Sequence, residues 1–198
     1  MSDMSTTSAW IILIAAIFTN NILLANFLGM CSFLVCSSSL ATALGLGAAV
    51  VFVTACTTVL NWLVYALLEA WHLEHLQFII FIVVIAAFTQ FVEMFVERFS
   101  PKLYFALGIF LPLIAVNCAI LGAAMFAIIR HYNFVQTVGF GFGAGLGWML
   151  AIMLMAGLRY KATYSNIPKP FRGPSIAMII TGVMAMAFMG FAGMVNIQ

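Results

Sequence analysis

The side chains best suited to chemistry are four cysteines, Cys31, Cys36, Cys56 and Cys118. Their spacings match no zinc or ferredoxin ligand pattern. Cys31 and Cys118 stand apart, because each is an isolated thiol among small or apolar residues, Gly29-Met-Cys-Ser32 and Val116-Asn-Cys-Ala119. Two thiolates do not complete an iron–sulfur cluster, which takes four ligands. Such a pair needs a second protein chain with a matching pair, or it forms a disulfide. Cys36 and Cys56 have no counterpart and read as small core hydrophobes. Glu93 is the one ionisable acid or base inside a long apolar stretch. A charge at a bilayer centre costs roughly 2.5–3.5 kcal/mol, so an intramembrane acid is a functional candidate. Its place within a turn of the stretch's end, near Arg98, suits both an interfacial acid and a cation-entry site. His72 and His75 flank Glu74 at a spacing open to a metal, but beside Trp71 they read as a solvated interface belt.

The elements that carry these residues are membrane helices. Of 198 residues, 66% are apolar and 6% charged, against roughly 25% charged in an ordinary soluble domain. A soluble enzyme is excluded, as is a nucleic-acid binder, since 7 basic residues give no phosphate-tracking surface. Six stretches reach the roughly 20 apolar residues that a spanning helix needs: Ala9–Val35, Leu40–Leu68, Leu76–Val96, Leu103–Ile129, Phe134–Leu158 and Ser175–Val195. Barrel-type alternation is absent, so the class is an all-α membrane protein of one integral domain, 1–198. The first stretch is too long and too rich in Asn for a cleaved signal peptide. Both termini share a side with Arg130, Asp3, Glu69 and Glu74, while Arg98, Lys102, Arg159, Lys161, Lys169 and Arg172 occupy the other. Positive charge stays inside, which puts both termini outside the cytoplasm, the periplasmic face in a bacterium.

The halves repeat one another. Ala43-Leu-Gly-Leu-Gly-Ala48 resembles Gly139-Phe-Gly-Phe-Gly-Ala144, and Ala87-Phe-Thr-Gln-Phe91 resembles Ala187-Phe-Met-Gly-Phe191. With the two cysteine settings, that gives one match per helix in the same order. Three spans per repeat (about 9–96 and 103–195) invert the second half, a plan whose site lies near the midplane on broken helices. Asn20, Asn21, Asn26 and Gly29 mark the first span for breaking; Gly108, Pro112, Asn117 and Gly122 mark the fourth. Asparagine amides suit the backbone groups a break releases, which lipid cannot pair. On a helix, Gly139, Gly143 and Gly147 form one stripe, and Gly141 and Gly145 another. Such stripes let backbones approach closely and leave room for a broken neighbour. The loop Arg159–Pro174 reads as a cytoplasmic docking segment or a headgroup contact.

Several strings are more particular than chance apolar sequence: Phe27-Leu-Gly-Met-Cys31, Ala106-Leu-Gly-Ile-Phe-Leu-Pro-Leu-Ile114 with Val116-Asn-Cys-Ala-Ile120, Phe140-Gly-Phe-Gly-Ala-Gly-Leu-Gly-Trp-Met-Leu-Ala-Ile152, and Ala185-Met-Ala-Phe-Met-Gly-Phe191. In these the chain resembles the six-helix family shared by the D-type and E-type members of the Na⁺-translocating NADH:quinone reductase (Nqr) and the A-type and E-type members of the Rnf complex. Met30 and Gly147-Trp-Met-Leu-Ala-Ile152 lean toward the E-type Nqr branch; Phe171-Arg-Gly173 leans toward the A-type Rnf branch. The resemblance implies an inner-membrane complex that passes electrons from NADH through flavins and iron–sulfur centres to quinone while exporting Na⁺. It implies that Cys31 and Cys118 bind an intramembrane 2Fe–2S cluster whose other two ligands come from the paralogous, inverted D-type subunit. Glu93 matches a family acid that is a candidate for Na⁺ uptake. The loop departs from the family pattern at Arg159-Tyr-Lys161 and Tyr164-Ser-Asn-Ile-Pro168, and Cys36–Leu40 lacks the usual lysines. A small-solute exporter and a purely structural membrane protein are the readings of other classes. The former predicts transport by the isolated chain, the latter inert cysteines.

Overall fold

The first apolar stretch does not run as one helix in the computed structural model, which describes residues 8–99, 111–165, 168 and 173–190. It folds as α1 (Ala9–Ile17), an irregular segment, and α2 (Met30–Cys36). Next come α3 (Leu40–Ala70), a short 3-10 turn at Glu74–Leu76, and α4 (Gln77–Phe99). The fourth stretch is also divided, into α5 (Leu111–Ala115) and α6 (Cys118–Ile129). Then follow α7 (Phe134–Thr163) and α8 (Pro174–Met189). Among the described residues there is no strand. Three helices, Leu40–Ala70, Gln77–Phe95 and Phe134–Thr163, are long and apolar enough to cross a membrane. The start of the expected fourth span (103–110, with Gly108), the end of the sixth (191–195), and Asp3, Lys102, Lys169 and Arg172 lie outside the described residues.

Sequence chemistry explains most helix starts. Ser39 caps α3 by accepting the Thr42 N–H at 3.2 Å. Asn133 and Gln136 form a capping box at α7, satisfying two amides that a helix start leaves unpaired. Gly173 and Pro174 begin α8, with proline at a position where no N–H is required. Of the residues that marked the fourth span for breaking, Asn117 is where it breaks. The structure accommodates Pro112 within α5 and breaks at Val116–Asn117. The cause is Asn117, whose Oδ1 accepts the Ala119 N–H at 3.1 Å and so starts a new helix.

Packing centres on α7. Its most extensive contact is with α3, and α1 lies on its other side; α6 packs in turn on α3. Both glycine stripes act as expected. A Cβ placed on Gly139, Gly143 or Gly147 would lie 2.8–3.1 Å from the Ala9, Leu13 or Ala16 carbonyl oxygen, respectively. The shared order makes α1 parallel to α7. On the second stripe, a Cβ on Gly141 would meet Thr58 at 3.0 Å and one on Gly145 the Val51 backbone at 2.8 Å, while Gly47 faces Met149. That reversed order makes α3 antiparallel to α7. Close approach without side chains maximises van der Waals contact, the main attraction between helices in lipid.

The stripe gives a matched pair of variants. Gly143→Ala should destabilise by about 1–3 kcal/mol through overpacking. Gly157→Ala, where nothing lies within 4 Å, should be neutral or stabilise by about 0.5–1 kcal/mol. Thermal unfolding in detergent measures both; equal midpoints would remove the close-packing account.

Candidate functional site

The irregular segment between α1 and α2 is organised by one amide. Asn21 is 1% exposed. Its Nδ2 donates to the Ile17 carbonyl at 3.1 Å and to the Gly147 carbonyl at 2.7 Å. Its Oδ1 accepts from the N–H groups of Leu23 at 3.1 Å and Leu24 at 3.4 Å. One side chain thus ties the end of α1, the start of the segment and α7. At the other end of the segment Gly29 takes a left-handed conformation, φ +82, and its carbonyl accepts from Ser32 Oγ and the Phe33 N–H, opening α2. A Cβ on Gly29 would lie 2.6 Å from Trp148 Nε1 and 2.9 Å from Asn117 Oδ1. Asn21 and Gly29 therefore meet α7 at adjacent residues, Gly147 and Trp148. The segment crosses at one level, beside the middle of the 30-residue α7.

The second break arrives at the same place. The Gly29 N–H donates to Cys118 Sγ at 2.9 Å, which brings the cysteine-bearing turns of α2 and α6 together. Cys31 and Cys118 are both free and exposed. Phe27, at 53% exposure, and Val116, at 73%, also stand out on these turns, and Phe27 adopts a left-handed backbone, φ 55. Cys36 is buried and Cys56 half-buried, as expected for core thiols. Two N–H donors of the residues packed against Gly29 lack an acceptor among the described residues: Trp148 Nε1 and Asn117 Nδ2. Among the described residues no group of three or more His, Cys, Asp or Glu side chains converges.

The other candidates stay apart. Glu93 is half-buried on α4 and Arg98 is exposed; among the described residues no ion pair or hydrogen bond joins Glu93 to Arg98 or to the cysteines. His72 and His75 are exposed in the α3–α4 connection. Three residues that the sequence did not single out matter here. Trp148 was legible only as part of the glycine-rich string. Arg159 Nη1 donates to the Leu34 carbonyl and to Ser37 Oγ, both at 2.8 Å, pairing a carbonyl at the end of α2. Arg130 lies over the Phe126 and Phe140 rings at 5.8 Å, and with the Asn20 amide turned to present its oxygen the guanidinium donates to it at 2.6 and 3.1 Å.

With this geometry in hand, similarity to known proteins is specific. Residues 9–195 match the family model described as "Rnf-Nqr subunit, membrane protein". The E-type subunit of the Na⁺-translocating NADH-quinone reductase of Chlamydia trachomatis serovar D is 51% identical over 206 residues, covering 98% of this chain and 84% of the relative. Proteins of the same name from Neisseria meningitidis serogroup B and Serratia proteamaculans are 52% and 51% identical, each covering 91% of this chain and 94% of the relative.

Two glycines of positive φ separate backbone strain from crowding. Gly173→Ala meets only the backbone penalty, since nothing lies within 4 Å; at φ +100 and ψ −133, space essentially reserved for glycine, about 1–3 kcal/mol is expected. Gly29→Ala adds the collision with Trp148 and Asn117. It should lose about 1–3 kcal/mol beyond its own backbone penalty, read as a lower unfolding midpoint of the purified protein. A Gly29→Ala loss of no more than about 1–2 kcal/mol, the cost of a left-handed backbone, would mean that Gly29 is required for its backbone angle alone.

Proposed function

Because the chain belongs to the Rnf-Nqr family of membrane subunits, we propose that it is the E-type membrane subunit of the Na⁺-translocating NADH:quinone reductase in the bacterial inner membrane. In this reading it relays electrons within the complex and is not catalytic alone. The observation that carries the proposal is the meeting of the two breaks, with the Gly29 N–H on Cys118 Sγ at 2.9 Å and Cys31 two residues further on. Cys31 and Cys118 would hold half of a 2Fe–2S cluster, and the paralogous D-type subunit, in inverted orientation, the other half. The fit rests on soft thiol ligands, on their shared exposure, and on the two buried donors left without acceptors on residues packed against Gly29. Bound there, the cluster supplies one-electron transfer. NADH, flavins and quinone belong elsewhere in the complex.

The chain's own residues do the positioning. Asn21 and Asn117 stabilise the breaks that bring the cysteine turns to the middle of α7. The Gly29 N–H and the first turn of α6 turn positive dipole toward the Cys118 thiolate. Phe27 and Val116 give the exposed thiols an apolar surround that keeps water from a buried partner contact. The packing of α1 on α7, matched by α6 on α3, supports six spans built as two inverted repeats. The loop charges favour periplasmic termini. Glu93 is the candidate for Na⁺ uptake, standing half-buried without an ion-pair partner among the described residues.

Iron content and low-temperature EPR of the intact complex, purified without oxygen, test the reading. Cys31→Ser or Cys118→Ser should remove one 2Fe–2S signal and abolish quinone reduction, with Cys36→Ser and Cys56→Ser unchanged. If all four keep their iron and activity, the cysteines are packing groups and the relay is wrong. Separately, Glu93→Gln should raise the Na⁺ concentration for half-maximal quinone reduction about tenfold or more, as loss of a charge-assisted contact implies, and leave the EPR signal intact. An unaltered Na⁺ dependence would remove Glu93 from the cation path.

A further inference from the structure

The described residues contain few buried polar side-chain atoms without a partner: both amide atoms of Asn61, Asn117 Nδ2 and Trp148 Nε1. The last two are N–H donors; Trp148 Nε1 and, through its Oδ1, the Asn117 amide lie against Gly29, the residue whose own N–H reaches Cys118 Sγ. Trp148 is 0% exposed and Asn117 2% exposed, so solvent does not satisfy them. A buried donor without an acceptor costs about 1–3 kcal/mol. Two such donors on residues gathered around Gly29, one turn from the thiols, point to an acceptor that the chain alone does not supply.

We propose that Trp148 and Asn117 donate to sulfur in the group held by Cys31 and Cys118, and thereby raise its reduction potential. This rests on the cluster reading above. Thiolate and sulfide sulfurs accept hydrogen bonds, and the Gly29 N–H already makes one to Cys118. Reduction adds one electron, supplied by an upstream flavin or iron–sulfur carrier, and no atom. The added negative charge lies partly on sulfur. N–H donors therefore favour the reduced form, and hydrogen bonds to sulfur are one of the levers by which proteins set such potentials. Trp148 suits the role because it is held at the centre of α7, next to the Gly147 carbonyl that Asn21 grips at 2.7 Å. The donor is fixed by backbone packing rather than by a mobile loop. Both are positioning residues, since neither ligates the group.

The test is a redox-poised EPR titration of the intact complex carrying Trp148→Phe, which removes the N–H and keeps an aromatic ring. Iron content should be retained. At the wild-type midpoint the reduced-to-oxidised ratio should fall about threefold to tenfold, tenfold being 59 mV for a one-electron couple. Asn117→Thr, which keeps a capping oxygen but not Nδ2, should shift it the same way. Pulsed EPR of wild type grown with 15N-labelled tryptophan should detect a tryptophan nitrogen coupled to the reduced centre. That measurement decides the matter if Trp148→Phe loses its iron. An unshifted potential with iron retained, or no 15N coupling in the wild type, overturns the proposal. Failure of the underlying cluster reading looks different: Cys31→Ser then keeps the full iron content and every signal, and Trp148→Phe moves none of them.

Discussion

Hydrocarbon offers no hydrogen bonds, so a helix interrupted inside it must find partners for every released N–H and C=O within the protein. The structure is arranged around that requirement. Asn21 serves two carbonyls and two amides at the first break, and Asn117 restarts the chain at the second. Asn21 reaches Gly147 because α1 lies backbone-to-backbone on α7, and it lies there because Gly139, Gly143 and Gly147 carry no side chain. A bulky residue on the stripe would lift α1 and strand the Asn21 amide. The asparagine, the glycines and the short first helix are thus one constraint seen at three places.

The same arrangement separates the two kinds of charge the fold tolerates. Each arginine near a break is met by neutral groups. Arg159 closes the end of α2 through a carbonyl and a hydroxyl, where a cation also complements the helix dipole. Arg130 rests on two aromatic faces, an amide oxygen and the Tyr132 hydroxyl, an attraction that strengthens away from water. At the cysteine turns, by contrast, the sulfur of Cys118 is met by a backbone N–H, that of Gly29, and no charged side chain joins it among the described residues.

Much of this was legible in the residues. Long apolar runs gave the helices, and the isolated asparagines and Gly29 gave the breaks, because a polar amide in lipid needs a backbone partner. The glycine period of two gave two packing faces, since a helix turns alternate pairs onto different sides. In the fourth span both Pro112 and Asn117 marked a break, and only the fold shows that it falls at Asn117, the side chain that caps the restarted helix. Trp148 was hidden inside the glycine string. Its significance comes from Gly29, a residue more than a hundred positions away, and only the fold reveals that meeting. The clamp of Arg159 on Leu34 was invisible for the same reason: sequence gives a charge and a side of the membrane, not the carbonyl it caps.

The bond from Asn21 to Gly147 links residues 126 positions apart, and this bears on biogenesis. The 9-residue α1 rises about 14 Å at 1.5 Å per residue, under half the roughly 30 Å hydrocarbon thickness. It cannot span by itself, and its natural bed, α7, is translated much later. At roughly 5–20 residues per second, 126 residues take about 6–25 s. For that interval Asn21 can serve the Ile17 carbonyl and the Leu23 and Leu24 amides within its own segment, but its bond to α7 and the packing face of α1 are missing, and the amino-terminal segment waits sheltered by the insertion machinery or lying at the interface. Assembly of this protein is therefore committed by its second half, and a ribosome stalled before α7 leaves a chain that membrane quality control can recognise.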